Sequence, residues 1–127
     1  MKKVQFEKYG CIEIHEKYVV VIMKEGITVK PEYNADLIKI ADNHFKGKLF
    51  GYITNRKNSY SVDPRIYFET LKIENLVAFA VVSKEESQKA FVNFEKEFLQ
   101  KPFKLFKDLE DAKSWIEEMI TSNQKSK

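Results

Sequence analysis

The run Leu76-Val77-Ala78-Phe79-Ala80-Val81-Val82 is apolar at every position, and no other feature narrows the fold as much. A strand with one wet face alternates polar and apolar residues, whereas a strand covered on both faces reads as a continuous apolar run. The run is far shorter than the roughly 20 residues needed to span a bilayer as a helix. It therefore predicts the central strand of a largely parallel sheet. Parallel neighbours need crossover connections, which are usually helices. The other long apolar run, Tyr18 to Met23, is also β-branched and reads as a buried strand.

The punctuation around these two runs predicts the remaining elements. Cys11-Ile12-Glu13-Ile14-His15 alternates, and Glu16-Lys17 links it to the Tyr18 run, which predicts an opening hairpin. Lys24-Glu25-Gly26 turns the chain, and residues 27–29 are briefly extended. Pro31 suits a first helical position, Leu37, Ile38, Ala41 and Phe45 form the inner stripe of helix one, and Gly47 supplies a left-handed end. A strand follows at residues 49–54. Asp63-Pro64 opens a short helix two over residues 64–71, with Ile66, Tyr67 and Leu71 inward. Ser83-Lys84-Glu85-Glu86 is a capping box for helix three, whose expected inner face is Ala90, Phe91, Phe94 and Phe98. Residues 102–106 read as a last strand, and Asp108 caps a final helix with the stripe Leu109, Ala112, Trp115, Ile116 and Met119. Residues 121–127 read as a frayed polar tail. The expected fold is α/β, a single domain over residues 1–127 with its core in residues 10–120, built as a mostly parallel sheet of about five strands with four helices after an N-terminal hairpin. A length of 127 residues suits one domain.

Several function classes lose their footing at this level. Lys plus Arg number 22 against 19 Asp plus Glu, a formal charge of +3, which gives no electrostatic argument for nucleic acid. The single Cys11 can close no intrachain disulfide and reads as a small core residue, which fits a reducing, cytoplasmic compartment. The basic start meets Glu7 and Lys8 before any apolar signal segment develops, and no membrane span is expected. His15 and His44 have no ligand partner nearby in the sequence, no G-x-G occurs, and no serine sits in a nucleophile elbow, so neither a metal nor a cofactor is expected. The pairs Glu85 and Glu86, and Glu117 and Glu118, are adjacent on helices and point apart. Lys101, Lys104 and Lys107 form a basic row, read as the solvated side of an edge strand. With no catalytic constellation assembled, the chain is not expected to be an enzyme.

One polar segment remains. Residues 54–63 follow an inner strand and precede a helix, where open α/β sheets place their ligands. Thr54, Asn55, Arg56, Ser59, Tyr60 and Ser61 lie in it, and Tyr67 follows on helix two, so these seven are the candidate ligand or partner residues.

The element order, the strand Leu76-Val77-Ala78-Phe79-Ala80-Val81-Val82-Ser83 and the segment Ala90-Phe91-Val92-Asn93-Phe94 resemble the small STAS-like proteins, also labelled STAS/Sec14-like. So does the ending Pro102-Phe103-Lys104-Leu105-Phe106 with Ala112-Lys113-Ser114-Trp115-Ile116. These are relatives of the sporulation anti-sigma-factor antagonist. The resemblance implies a non-enzymatic regulatory domain that binds a protein partner through the loop after the third strand and the helix behind it. A carrier of a small apolar or anionic, lipid-like ligand is the alternative, prompted by ten Phe in so short a chain. In the antagonists a serine in that loop is phosphorylated. Here the stretch reads Asn58-Ser59-Tyr60-Ser61-Val62-Asp63-Pro64, without the Asp-Ser-x-Gly pattern, which leaves Ser59 and Ser61 as weak counterparts. A homodimer through the hairpin edge is left open.

Overall fold

A computed structural model describes residues 2–6, 10–29, 34–56, 61–62, 65–85, 88–99 and 101–125. From the amino terminus the chain forms β1 (Lys2–Phe6), β2 (Gly10–Ile14), β3 (Tyr18–Met23) and β4 (Thr28–Val29). Helix α1 (Asn34–Ile40) runs into a π-helical turn over Ala41–Phe45, followed by β5 (Phe50–Asn55) and β6 (Ser61–Val62). Then come α2 (Ile66–Thr70), β7 (Leu76–Val82), α3 (Gln88–Leu99), β8 (Phe103–Phe106) and α4 (Leu109–Lys125).

The main sheet has six strands in the order β1-β2-β3-β5-β7-β8, and β4 and β6 pair separately. β1, β2 and β3 are antiparallel neighbours, while β3, β5, β7 and β8 run parallel. The expected α/β class and the opening hairpin, here β2 and β3, are both present, and β7 is an inner strand. β1 adds a strand that the sequence reading did not include. Its residues Lys2, Lys3 and Gln5 are exposed, so it closes the sheet edge with charge and adds little to the core.

Alternation along each strand separates two cores. Val19 and Val21 of β3, Tyr52 of β5, Phe79 and Val81 of β7 and Phe103 of β8 share a core with α1, α2 and α3. Val20, Ile53, Ala78, Ala80 and Val82 pack instead on α4 through Ala112, Ile116 and Ile120. This is the two-sided burial that the continuous run of β7 predicts. On the first face Phe79 stacks between Tyr52, with centroids 4.3 Å apart, and Phe103, at 4.7 Å, so one ring ladder crosses three strands. On the second face small residues let α4 approach closely. A Cβ at Gly51 would overlap the Ile116 side chain, so only glycine fits there.

Four local expectations change. The π-helical turn ends with Lys46 left-handed at φ 48° as well as Gly47 at φ 85°, so glycine supplies only the second residue of the reversal. Ile38, expected inward, is 36% exposed. On α3 the buried residues are Val92, Glu95 and Leu99, whereas Ala90 is exposed, Phe94 is 56% exposed and Phe98 is half-buried. The helix is rotated from its expected setting because a carboxylate takes a buried position; the Phe91 side chain lies outside the described residues. Finally, residues 121–125 do not fray but continue α4, where Thr121 Oγ1 donates to the Glu117 carbonyl at 3.0 Å and Asn123 Nδ2 to that of Met119 at 2.8 Å.

Candidate functional site

Alternation along β5 carries Tyr52, Thr54 and Arg56 toward the face covered by α2 and α3. Tyr52 and Thr54 are buried, at 9% and 3% exposure. Arg56 stands at the carboxyl end, where its backbone N–H extends the ladder to β7 by donating to the Val82 carbonyl at 2.9 Å. Its Nη2 donates to both carboxylate oxygens of Glu95 on α3, at 3.0 and 2.9 Å. The Tyr67 hydroxyl of α2 donates to the same carboxylate. The Arg56 and Glu95 side chains are only 8% and 6% exposed, so this is a buried ion pair. Such a pair persists because the cost of dehydrating each charge is offset by its partner and by further hydrogen bonds. Burial raises the Tyr67 pKa well above its ordinary value, and the neighbouring Glu95 charge adds to the rise. The phenol stays protonated and serves Glu95 as a donor.

The pair joins elements that are distant in sequence: β5, α2 and α3 meet on one carboxylate. Sequence reasoning missed Glu95, since a charged residue on a helix normally marks the wet face. The available signal was the i, i+3, i+7 spacing of Val92, Glu95 and Leu99. Giving the inner face to this set turns Phe94 outward and leaves Phe98 half-buried at the edge of the core, beside Phe68 of α2. Phe68 is 51% exposed, and Phe98 contacts both Phe68 and Phe94 edge-on, with centroids 5.9 and 5.0 Å apart.

Beside the pair a cleft of about 560 Å³ opens at the carboxyl ends of β5, β7 and β8. Asn55 and Arg56 wall one side, residues 82–85 a second, and residues 107–109 at the start of α4 a third. Ser83 Oγ accepts the Glu85 N–H at 3.2 Å, two residues on. This is a local turn, while Glu86, the other half of the expected capping box, lies outside the described residues.

The seven candidate residues separate into groups. Thr54 and Tyr67 are buried beneath the site, Arg56 is locked to Glu95, and Asn55 and Arg56 face the cleft. Ser61 lies in β6, its backbone paired in register with Thr28 of β4. Ser59 and Tyr60 lie outside the described residues.

Other polar candidates sit elsewhere. Lys101 of the basic row donates from Nζ to the carbonyls of Ile73 and Leu76, both at 2.7 Å, and burial lowers its pKa. It ties down the turn before β7, so only Lys104 and Lys107 keep the expected exposed setting. At the amino end of the parallel strands His44 Nε2 lies 3.3 Å from the His15 backbone carbonyl, while the His15 ring stacks on Tyr18. Cys11 is buried. Among the described residues no three His, Cys, Asp or Glu side chains gather to hold a metal ion, and no helix is long and apolar enough to cross a membrane.

No family model matches the chain, and no curated protein matches it. The fold is similar to the crystal structure of an uncharacterized protein of the DUF3478 family with a SpoIIAA-like fold, from Shewanella loihica PV-4. The two are 17% identical, with a TM-score of 0.56 over 83% of this chain and 90% of that one. The chain thus has a SpoIIAA-like, STAS-like fold, as the sequence resemblance implied.

Two outcomes follow for the buried cluster. Arg56→Met or Glu95→Gln alone leaves an unpaired buried group and lowers unfolding stability by about 3–5 kcal/mol, whereas Arg56→Met with Glu95→Leu recovers much of the loss in urea denaturation. Tyr67 also makes stability pH-dependent. Its native pKa lies above the ordinary 10.0, so its contribution is complete below that pH and is lost as pH rises through the native value. Denaturation midpoints followed from neutral pH to alkali fall for the native chain, and Tyr67→Phe makes that decline shallower.

Proposed function

We propose that the chain is a non-enzymatic STAS-like binding domain that engages a protein partner through residues 54–63 and the outward face of α2 and α3. The observation that carries this reading is an aromatic cluster in which the exposed Phe68 and Phe94 both contact the half-buried Phe98. Large apolar side chains standing together in water are costly, and a patch of this kind with a charged rim has the anatomy of a protein interface. The rim here is Glu69 on α2 with Arg65 and Lys72 at its two ends, Glu69 and Lys72 being paired at 3.3 Å, and Asn93 and Glu97 on α3. The loop and the patch share a foundation, because the Arg56–Glu95–Tyr67 cluster joins the end of β5 to both helices. Phosphorylation of a serine in that loop, Ser59 or Ser61, would add charge to the partner-binding segment and weaken the complex.

The second reading, a small-ligand carrier, draws its support from the cleft. The aromatic interior supports it less, since the Tyr52, Phe79 and Phe103 rings stack on one another. No membrane-crossing helix occurs among the described residues, which fits a protein that works on partners in the aqueous phase of the cytoplasm.

The test is quantitative affinity capture from the source cells with the native chain and with Phe68→Glu/Phe94→Glu, alongside light scattering of both. The expected result is a set of proteins retained by the native chain and lost with the double variant at unchanged thermal midpoint. Equal capture by both chains overturns the surface, and a dimer that only the native chain forms assigns the patch to self-association instead.

A further inference from the structure

The loops around the cleft leave the sheet in opposite directions. From β7 the chain passes to α3 on the face of α1 and α2, whereas from β8 it passes to α4 on the other face. Where neighbouring strands send their connections to opposite sides, a crevice opens beyond their carboxyl ends, and open α/β sheets bind ligands there. Its volume of about 560 Å³ lies within the range of small-molecule sites.

The lining narrows the ligand. Seven of the nine lining residues are polar or charged, and Val82 and Leu109 are the apolar ones. Lys84 and Lys107 are exposed cations in two different walls, and α4, 17 residues long, begins at the opening with Leu109, so its amino end adds a positive dipole end there. Ser83 lines the floor at 7% exposure, and its own O–H has no acceptor among the described residues. These groups suit an anionic, multiply accepting head. Glu85 and Asp108, also in the wall, would repel a bare anion but accept hydrogen bonds from hydroxyl groups. Behind them Arg56 is held in place by Glu95.

We propose that this cleft binds a small phosphorylated polyol of the sugar-phosphate class. The phosphoryl group lies against Lys84, Lys107, the Ser83 hydroxyl and the amino end of α4, and the polyol hydroxyls are accepted by Glu85 and Asp108. This rests on the small-ligand reading, to which it gives a place and a chemistry. The protein-partner reading depends on Phe68 and Phe94 and is independent of it.

The experiment follows backbone amide shifts of the full chain during titration with ribose 5-phosphate, inorganic phosphate and ribose. Ribose 5-phosphate is expected to give saturable shifts centred on residues 83–85 and 107–111, inorganic phosphate weaker ones and ribose none. Lys84→Glu/Lys107→Glu lowers the affinity at least about tenfold with the rest of the spectrum unchanged. Asp108→Ala, a second exposed change, narrows the preference for ribose 5-phosphate over phosphate. The Phe68→Glu/Phe94→Glu chain binds as the native one does, which separates this site from the partner surface. The proposal is overturned by an absence of saturation up to about 10 mM, by shifts centred elsewhere, by ribose binding as well as its phosphate, or by unchanged affinity in the charge-reversed chain.

Discussion

A guanidinium and a carboxylate sealed between sheet and helices are expensive to dehydrate, and the carboxyl end of this molecule is organised around making that burial tolerable. Glu95 can be buried only where both its oxygens find donors, and these come from Arg56 and Tyr67. Arg56 can reach it only from the last turn-out of β5, and Tyr67 only from α2. The arrangement therefore sets where β5 ends, how α2 is rotated and which side of α3 faces inward. The exposed phenylalanines are a consequence of the same rotation, because the stripe that buries Glu95 turns Phe94 outward.

The two faces of the sheet are stabilised differently. The face under α1, α2 and α3 holds large rings in a ladder and the charged cluster, while the face under α4 holds glycine, alanine and valine against Ile116. Close packing against small residues leaves α4 little freedom to shift. The cleft lies between these two regimes, with one wall built on the α4 start and another on the tethered end of β5. A ligand there and a partner on α2 and α3 would share Arg56 as a structural neighbour while touching different side chains.

Much of the architecture was legible in the sequence because it depends on patterns with a single physical reading. A seven-residue apolar run can be little other than a two-sided strand, and the Leu109, Ala112, Ile116 stripe marks α4 without ambiguity. What stayed hidden depends on partners distant in the chain. Nothing local distinguishes Glu95 from a solvated helix glutamate, since its reason for burial lies 39 residues earlier at Arg56. The same ambiguity gave Phe94 to the core, where its type belongs on average. β1 was obscured by Lys2 and Lys3, charges that an edge strand tolerates. At the candidate site the sequence pointed to the carboxyl end of β5, yet the cleft walls at residues 82–85 and 107–109 come together only through the parallel register.

The Arg56–Glu95 pair anchors the carboxyl end of the sheet locally. Native-state hydrogen exchange of Glu95→Gln against the native chain tests it most directly. Faster exchange is expected at the Arg56 amide and in α2 and α3, with the amides of β3 and of α4 beyond its first turn unchanged relative to global stability. Uniform acceleration across the sheet, or no change near Arg56, would contradict it.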